Sequence, residues 1–166
     1  MELVRDFLNT LDVEAETDEL NSPAELALWL HERGLAEEGA RAGEDDLVTA
    51  LALREGLRSA LRRGGPAVLP VLPMTLRIDG KPRWEPVEGG VRGALARIAA
   101  QAARPGWERL KVCAEEGCQW AFIDASRNRS RSWCSMRLCG NRTKTRAYRA
   151  RKAGSRPPLG SNTDTV

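Results

Sequence analysis

The chain has 166 residues but only one histidine, and no cysteine precedes residue 113. A Ser-His or Cys-His relay would therefore have to use His31, which falls near the end of a predicted helix. No pair of aromatics reads as the base-stacking platform of many RNA binders, although Tyr148 or Trp120 could stack on bases. No run approaches the ~18 apolar residues of a membrane span. The start, Met1-Glu2-Leu3-Val4-Arg5-Asp6, lacks the apolar core of a signal peptide. No glycine loop of the phosphate-cradling type is present, and Gly89-Gly90 reads as a turn. These absences predict a cytoplasmic protein with no membrane partner and no enzymatic activity.

Charge is plentiful and unevenly placed. Residues 1–108 carry 13 Lys/Arg against 19 Asp/Glu, a net of −6, and residues 109–152 carry 12 against 3, a net of +9. An acidic body joined to a basic segment points to a nucleic acid or another anionic partner. The body could also dock on its own basic segment and mask it.

The body reads as helices with one hairpin. Leu3, Val4, Phe7, Leu8 and Leu11 share one side of a first helix. Ser22-Pro23 with Glu25 is a capping-box start, and Leu26, Trp29 and Leu30 follow on one face before Gly34. A third helix is predicted from about Asp45 to Arg63, striped by Ala50, Leu53, Leu57, Ala60 and Leu61 and stopped by Gly64-Gly65-Pro66. Arg54 falls inside that apolar arc. It either snorkels from the stripe's edge or pairs with a carboxylate such as Asp6. Thr75 to Ile78 and Trp84 to Val87 alternate around Asp79-Gly80, a hairpin signal, with Pro82 and Pro86 confining the second arm to an edge. Val91, Ala94, Leu95, Ile98 and Ala102 mark a fourth helix, and Pro105-Gly106 a boundary.

All four cysteines, Cys113, Cys118, Cys134 and Cys139, lie in the basic segment. Two Cys-x4-Cys pairs separated by fifteen residues suit a tetrahedral metal site, each turn supplying two thiolates. Zinc fits four thiolates in a closed, structural site; an iron–sulfur cluster or two disulfides are the alternatives. So small a segment usually needs such a staple, and it is predicted to unfold without metal. Between the pairs, Arg127, Arg129 and Arg131 alternate and would project together from an extended strand. Beyond them Arg137, Arg142, Lys144, Arg146 and Arg149 follow, the last four on a predicted helix. That helix places Cys139, Thr143, Ala147 and Ala150 on one small-residue face for packing against the metal site. Arginine forks suit phosphate oxygens and guanine edges.

Phe122-Ile123-Asp124, Ser126 to Arg131, Trp133-Cys134-Ser135-Met136 and Cys139-Gly140-Asn141-Arg142, continued by Lys144, Arg146, Tyr148 and Arg149, resemble the CGNR zinc finger. Asp6-Phe7-Leu8-Asn9-Thr10, Ser22-Pro23, Trp29-Leu30 and Leu53-Arg54-Glu55 resemble the landmarks of the ABATE domain. The resemblance implies zinc and DNA binding by the finger, and stress-linked transcription regulation.

The expected fold is α+β and mostly helical. A helical domain with a β-hairpin spans 1–106, a small four-cysteine zinc module ending in a basic helix spans 107–153, and a disordered tail spans 154–166. The expected partner is DNA, at the nucleoid, with RNA or a ribosome as the alternative. Asp6, Asn9 and Arg54 are candidates for a small-effector or structural polar site, and the body could also form a homodimer.

Overall fold

The computed structural model describes residues 1–63 and 67–154. The Gly64-Gly65-Pro66 stop and the tail from 155 onward lie outside the described residues. Gly154, expected in the tail, ends the last helix.

The first stripe forms α1 (Glu2–Leu8), which buries Val4, Phe7 and Leu8 completely. Leu11 does not extend it. The Thr10 hydroxyl donates to the Phe7 carbonyl at 2.8 Å, and the chain turns into β1 (Leu11–Asp12), which pairs antiparallel with β2 (Thr17–Asp18). Asp12 holds the turn by accepting from the Glu14 and Ala15 amides. Strands of two residues carry no alternation, so the sequence pattern does not announce this hairpin.

α2 (Pro23–Glu32) starts where its capping signal predicts. The Glu25 amide donates to Ser22 Oγ at 3.2 Å, and the Glu25 carboxylate accepts from the Asn21 amide. Gly34, with φ +65°, takes the left-handed turn that ends it. α3 (Glu44–Arg63) and α4 (Gly90–Ala100) lay Ala50, Leu53, Leu57, Val91, Ala94, Leu95 and Ile98 into one core with α1 and α2. Between them β3 (Met74–Asp79) and β4 (Lys81–Pro86) pair antiparallel around Gly80.

The bend at Pro105-Gly106 is present, Gly106 having φ +98°, but the chain returns at once to the body. β5 (Leu110–Val112) and β6 (Ala121–Ile123) form an antiparallel pair, and Leu110 and Ala121 complete the body's core. Side chains lock this hairpin down. Asn9 behaves like a strand residue toward β6, accepting from the Ala121 amide at 2.7 Å and donating to its carbonyl at 3.0 Å. Arg58, only 3% exposed, donates to the Leu8 carbonyl at 2.6 Å and to the Gln119 carbonyl at 2.9 Å. The chain ends in α5 (Asn141–Gly154).

Arg54 does not snorkel and does not pair with Asp6, which instead meets Arg5. It is 3% exposed and forks onto both carboxylate oxygens of Asp18 at 2.7 Å, with a further bond to Thr10 Oγ1 at 2.9 Å. Burial pushes the Asp18 carboxyl up, but Arg54 and the Leu20 amide outweigh it and hold the group below its ordinary value. Stability from this pair is therefore complete above about pH 4, the unfolded value, and lost as pH falls through the lower folded value. We predict that Arg54→Met costs about 3 kcal/mol at pH 7. The gap to wild type should narrow below about pH 4, as read by urea denaturation at pH 7 and pH 3.

A four-cysteine metal centre and its basic helix

Cys113 and Cys118 sit on the loop joining β5 to β6. The Cys113 amide donates to the Trp120 carbonyl at 2.9 Å, and the Cys118 and Gln119 amides both donate to the Glu115 carbonyl. Gln119 takes φ +51° to complete the turn, and its carbonyl and side-chain amide oxygens are the ones gripped by Arg58 and Arg62. Cys134 and Cys139 flank a second turn. Ser135 caps it, accepting from the Leu138 amide, and one wide helical turn, Met136–Gly140, leads into α5. A β-carbon on Gly140 would lie 2.5 Å from Met136 Sδ, so the methionine side chain would have to move to admit one.

The four sulfur atoms lie within 4.8 Å of one another. Cys134 Sγ is 3.7 Å from both Cys118 Sγ and Cys139 Sγ. Ligands about 2.3 Å from a tetrahedral zinc stand about 3.8 Å apart, whereas a disulfide needs about 2.05 Å. All four cysteines are free. Without a cation the cluster resists ionising: burial raises the Cys118 thiol to about 11 and pushes Cys134 higher still. For Cys113, burial is outweighed by the amides of Cys134 and Glu115, and the thiol falls below its ordinary value. Sulfur spacing, donor type and one low-lying thiol all fit zinc. Four protein ligands leave no open position, so the ion would hold the two turns together and supply no reaction site.

The arginines between the cysteine pairs do not project together. A turn at Arg127-Asn128 and a φ of +50° at Arg129 break the strand. Arg127 is exposed, with no partner among the described residues. Arg129 faces Glu108 at 3.3 Å. Arg131 folds back over the Phe122 ring and donates to the Cys134 carbonyl at 2.7 Å. The organiser of this loop is Asp124, which is fully buried. It accepts from Lys111 Nζ at 2.8 Å and from the Ser126 and Arg131 amides. The Lys111 ammonium, first among these partners, holds its carboxyl well below the usual carboxylate range.

The expected small-residue face of the last helix does not pack. Cys139 is buried and Thr143 half-buried, but Ala147 and Ala150 are exposed. Glu115 fastens the first turns instead. It is 3% exposed, accepts from Thr143 Oγ1 at 2.8 Å and pairs with Arg146 at 2.6 Å. Arg142 reaches Glu14 on the β1–β2 turn of the body at 2.7 Å. Arg137, Arg142, Arg146 and Arg149 line one groove with Leu138, Asn141 and Thr145, and Lys144 is exposed outside it. Arg58 and Glu115 escaped the sequence reading, and Asp124 entered it only within the finger's resemblance, with no role of its own. The available signal was that Glu115 and Asp124 are two of only three acids in a segment of +9. Asp6 and Asn9 line one cavity with Arg5, Arg33 and Trp120, whereas Arg54 lies outside it and pairs with Asp18.

A helical body closed by a four-thiolate hairpin is the class of protein these features define. The ABATE family model, described as a putative stress-induced transcription regulator, matches residues 2–110, and the CGNR zinc finger model matches residues 109–152. The chain belongs to the ABATE family and carries a CGNR zinc finger with a structural zinc site. Neither is an enzyme family. A search of curated proteins found no match. Among the described residues, no helix is long and apolar enough to cross a membrane.

Leu110 and Ala121 lie in the body's core, so zinc loss should free the two cysteine turns more than the strands. Chelation is predicted to abolish amide-exchange protection over residues 113–119 and 133–146 while α1–α4 retain theirs. Elemental analysis should give one zinc per chain, and none in Cys118→Ser/Cys134→Ser.

Proposed function

We propose that the protein is a DNA-binding transcription regulator of the stress-induced kind its family description names, acting at the nucleoid. α5 and the groove beside it meet the duplex. The observation that carries this reading is a helix exposed from Lys144 to Lys152, whose Arg142, Arg146 and Arg149 share one face. Residues 125–152 contain ten Lys/Arg and no Asp or Glu, so no acid within the segment repels a phosphate track. Arg137 and Arg149 flank this groove, suited to phosphates, while Asn141 and Thr145 between them offer hydrogen bonds to base edges. Arg142 and Arg146 already have carboxylate partners and would exchange or share them on binding. The role of the body is ligand sensing or assembly.

Measured against salt, duplex binding should follow a steep log–log line, with slope near −0.9 per phosphate neutralised. Arg137→Ala/Arg149→Ala should flatten that slope by about 2. An unchanged slope would remove the groove from the interface, and competition won by single-stranded RNA over duplex DNA would favour an RNA partner.

A further inference from the structure

The β3–β4 hairpin has two unlike faces. One carries a ladder of ion pairs, Arg77–Glu85 at 2.6 Å, Arg83–Asp79 at 2.6 Å and Arg83–Glu85 at 2.8 Å. The other carries Met74, Leu76 and Ile78 opposite Pro86, Trp84 and Pro82. That apolar face is open toward the turn, where Leu76 is 45% exposed, Trp84 52% and Ile78 72%, while Met74 and Pro86 at its base are half-buried. An isolated two-stranded hairpin is marginally stable, and this one contacts the body through β4, beside α4.

The two edges of the hairpin are also unlike. The Val87 amide donates to the Pro73 carbonyl, so bonded pairs alternate from there: 75 with 85, 77 with 83 and 79 with 81. Pro82 and Pro86 fall in the intervening pairs, where the backbone nitrogen points outward. The outer edge of β4 thus lacks two donors and is closed to a further strand. The outer edge of β3 presents the amides and carbonyls of Met74, Leu76 and Ile78, and among the described residues no strand lies against it.

We propose that β3 pairs antiparallel with β3 of a second copy of this chain, about a two-fold axis at Leu76, forming a four-stranded sheet. This register sets Leu76 against the partner's Leu76 and Met74 against the partner's Ile78, and uses all three outward residues. On the charged face it sets Thr75 against the partner's Arg77. An axis at Arg77 would oppose two like charges, and an axis at Ile78 would leave Met74 unpaired. The interface is self-complementary, as a two-fold requires. Two short strands meeting edge to edge make a small interface, so a weak, concentration-dependent dimer is expected. The pairing does not depend on DNA binding, and its test contains no DNA.

Residue 76 meets itself across the axis, which gives a charge-pair test on the full-length, zinc-loaded chain. Sedimentation should find wild type in a concentration-dependent monomer–dimer equilibrium. Leu76→Lys alone and Leu76→Glu alone should each weaken self-association at least tenfold, with unchanged circular dichroism. An equal mixture of the two should recover the dimer. A third variant, Leu76→Pro, removes an outward amide while keeping the β3–β4 bonds, as Pro82 and Pro86 do on β4, and should be monomeric. Wild type remaining monomeric at millimolar concentration, single variants that still dimerise, or a mixture that fails to recover the dimer would each overturn the proposal.

Discussion

Four sulfur atoms held within 4.8 Å of one another cannot all carry charge unless a cation sits among them, and the C-terminal third of the molecule is organised around that requirement. The metal joins two turns that share few apolar contacts. One turn is the tip of a hairpin rooted in the helical core, so the position of the ion is set by the body. The other turn delivers α5. The site is thus a joint between a rigid scaffold and a cationic arm, and the arm's direction follows from how the second turn meets the first.

Buried polar groups make that joint specific. Arg58 spans from the end of α1 to the first cysteine turn, Asn9 completes the edge of β6, and Asp124 and Glu115 anchor the arginine loop and α5. Each leaves an expensive unpaired group if its partner is withdrawn. Apolar packing alone would allow the hairpin to slide on α1 and α3; these directional bonds select one placement. Two of the three acids of the basic segment, Glu115 and Asp124, are spent on its interior, which leaves Glu116 as the one exposed acid on an otherwise positive surface.

Much of this was legible where local chemistry decides structure. Ser22, Pro23 and Glu25 announced the start of α2. The stripe from Ala50 to Leu61 announced α3, Asp79-Gly80 announced the hairpin turn, and the cysteine spacing announced the metal site. What stayed hidden depends on contacts distant in sequence. Arg54 was visibly out of place on its stripe, but Asp18 lies on a two-residue strand that no pattern marks, so a nearer acid looked equally good. The alternation of Arg127, Arg129 and Arg131 implied a strand, yet Asp124 gathers the amides of Ser126 and Arg131 and bends the segment into a loop. The small residues of α5 implied a packed face, but the hairpin that might have covered them is occupied against α1 and α3.

α5 has 14 residues and is about 21 Å long, yet Glu115 and the second cysteine turn grip only its first turns. Mechanically it is a cantilever. Its far half lies beyond the Glu115 anchor and draws on its own helix propensity, with Ala147 and Ala150 favourable and the like charges of Arg149, Arg151 and Lys152 unfavourable. A helix of this length is marginal in water by itself. Contact with a polyanion would relieve the self-repulsion and complete the helix in the same event, so association should carry an ordering entropy and a temperature dependence beyond that of rigid docking.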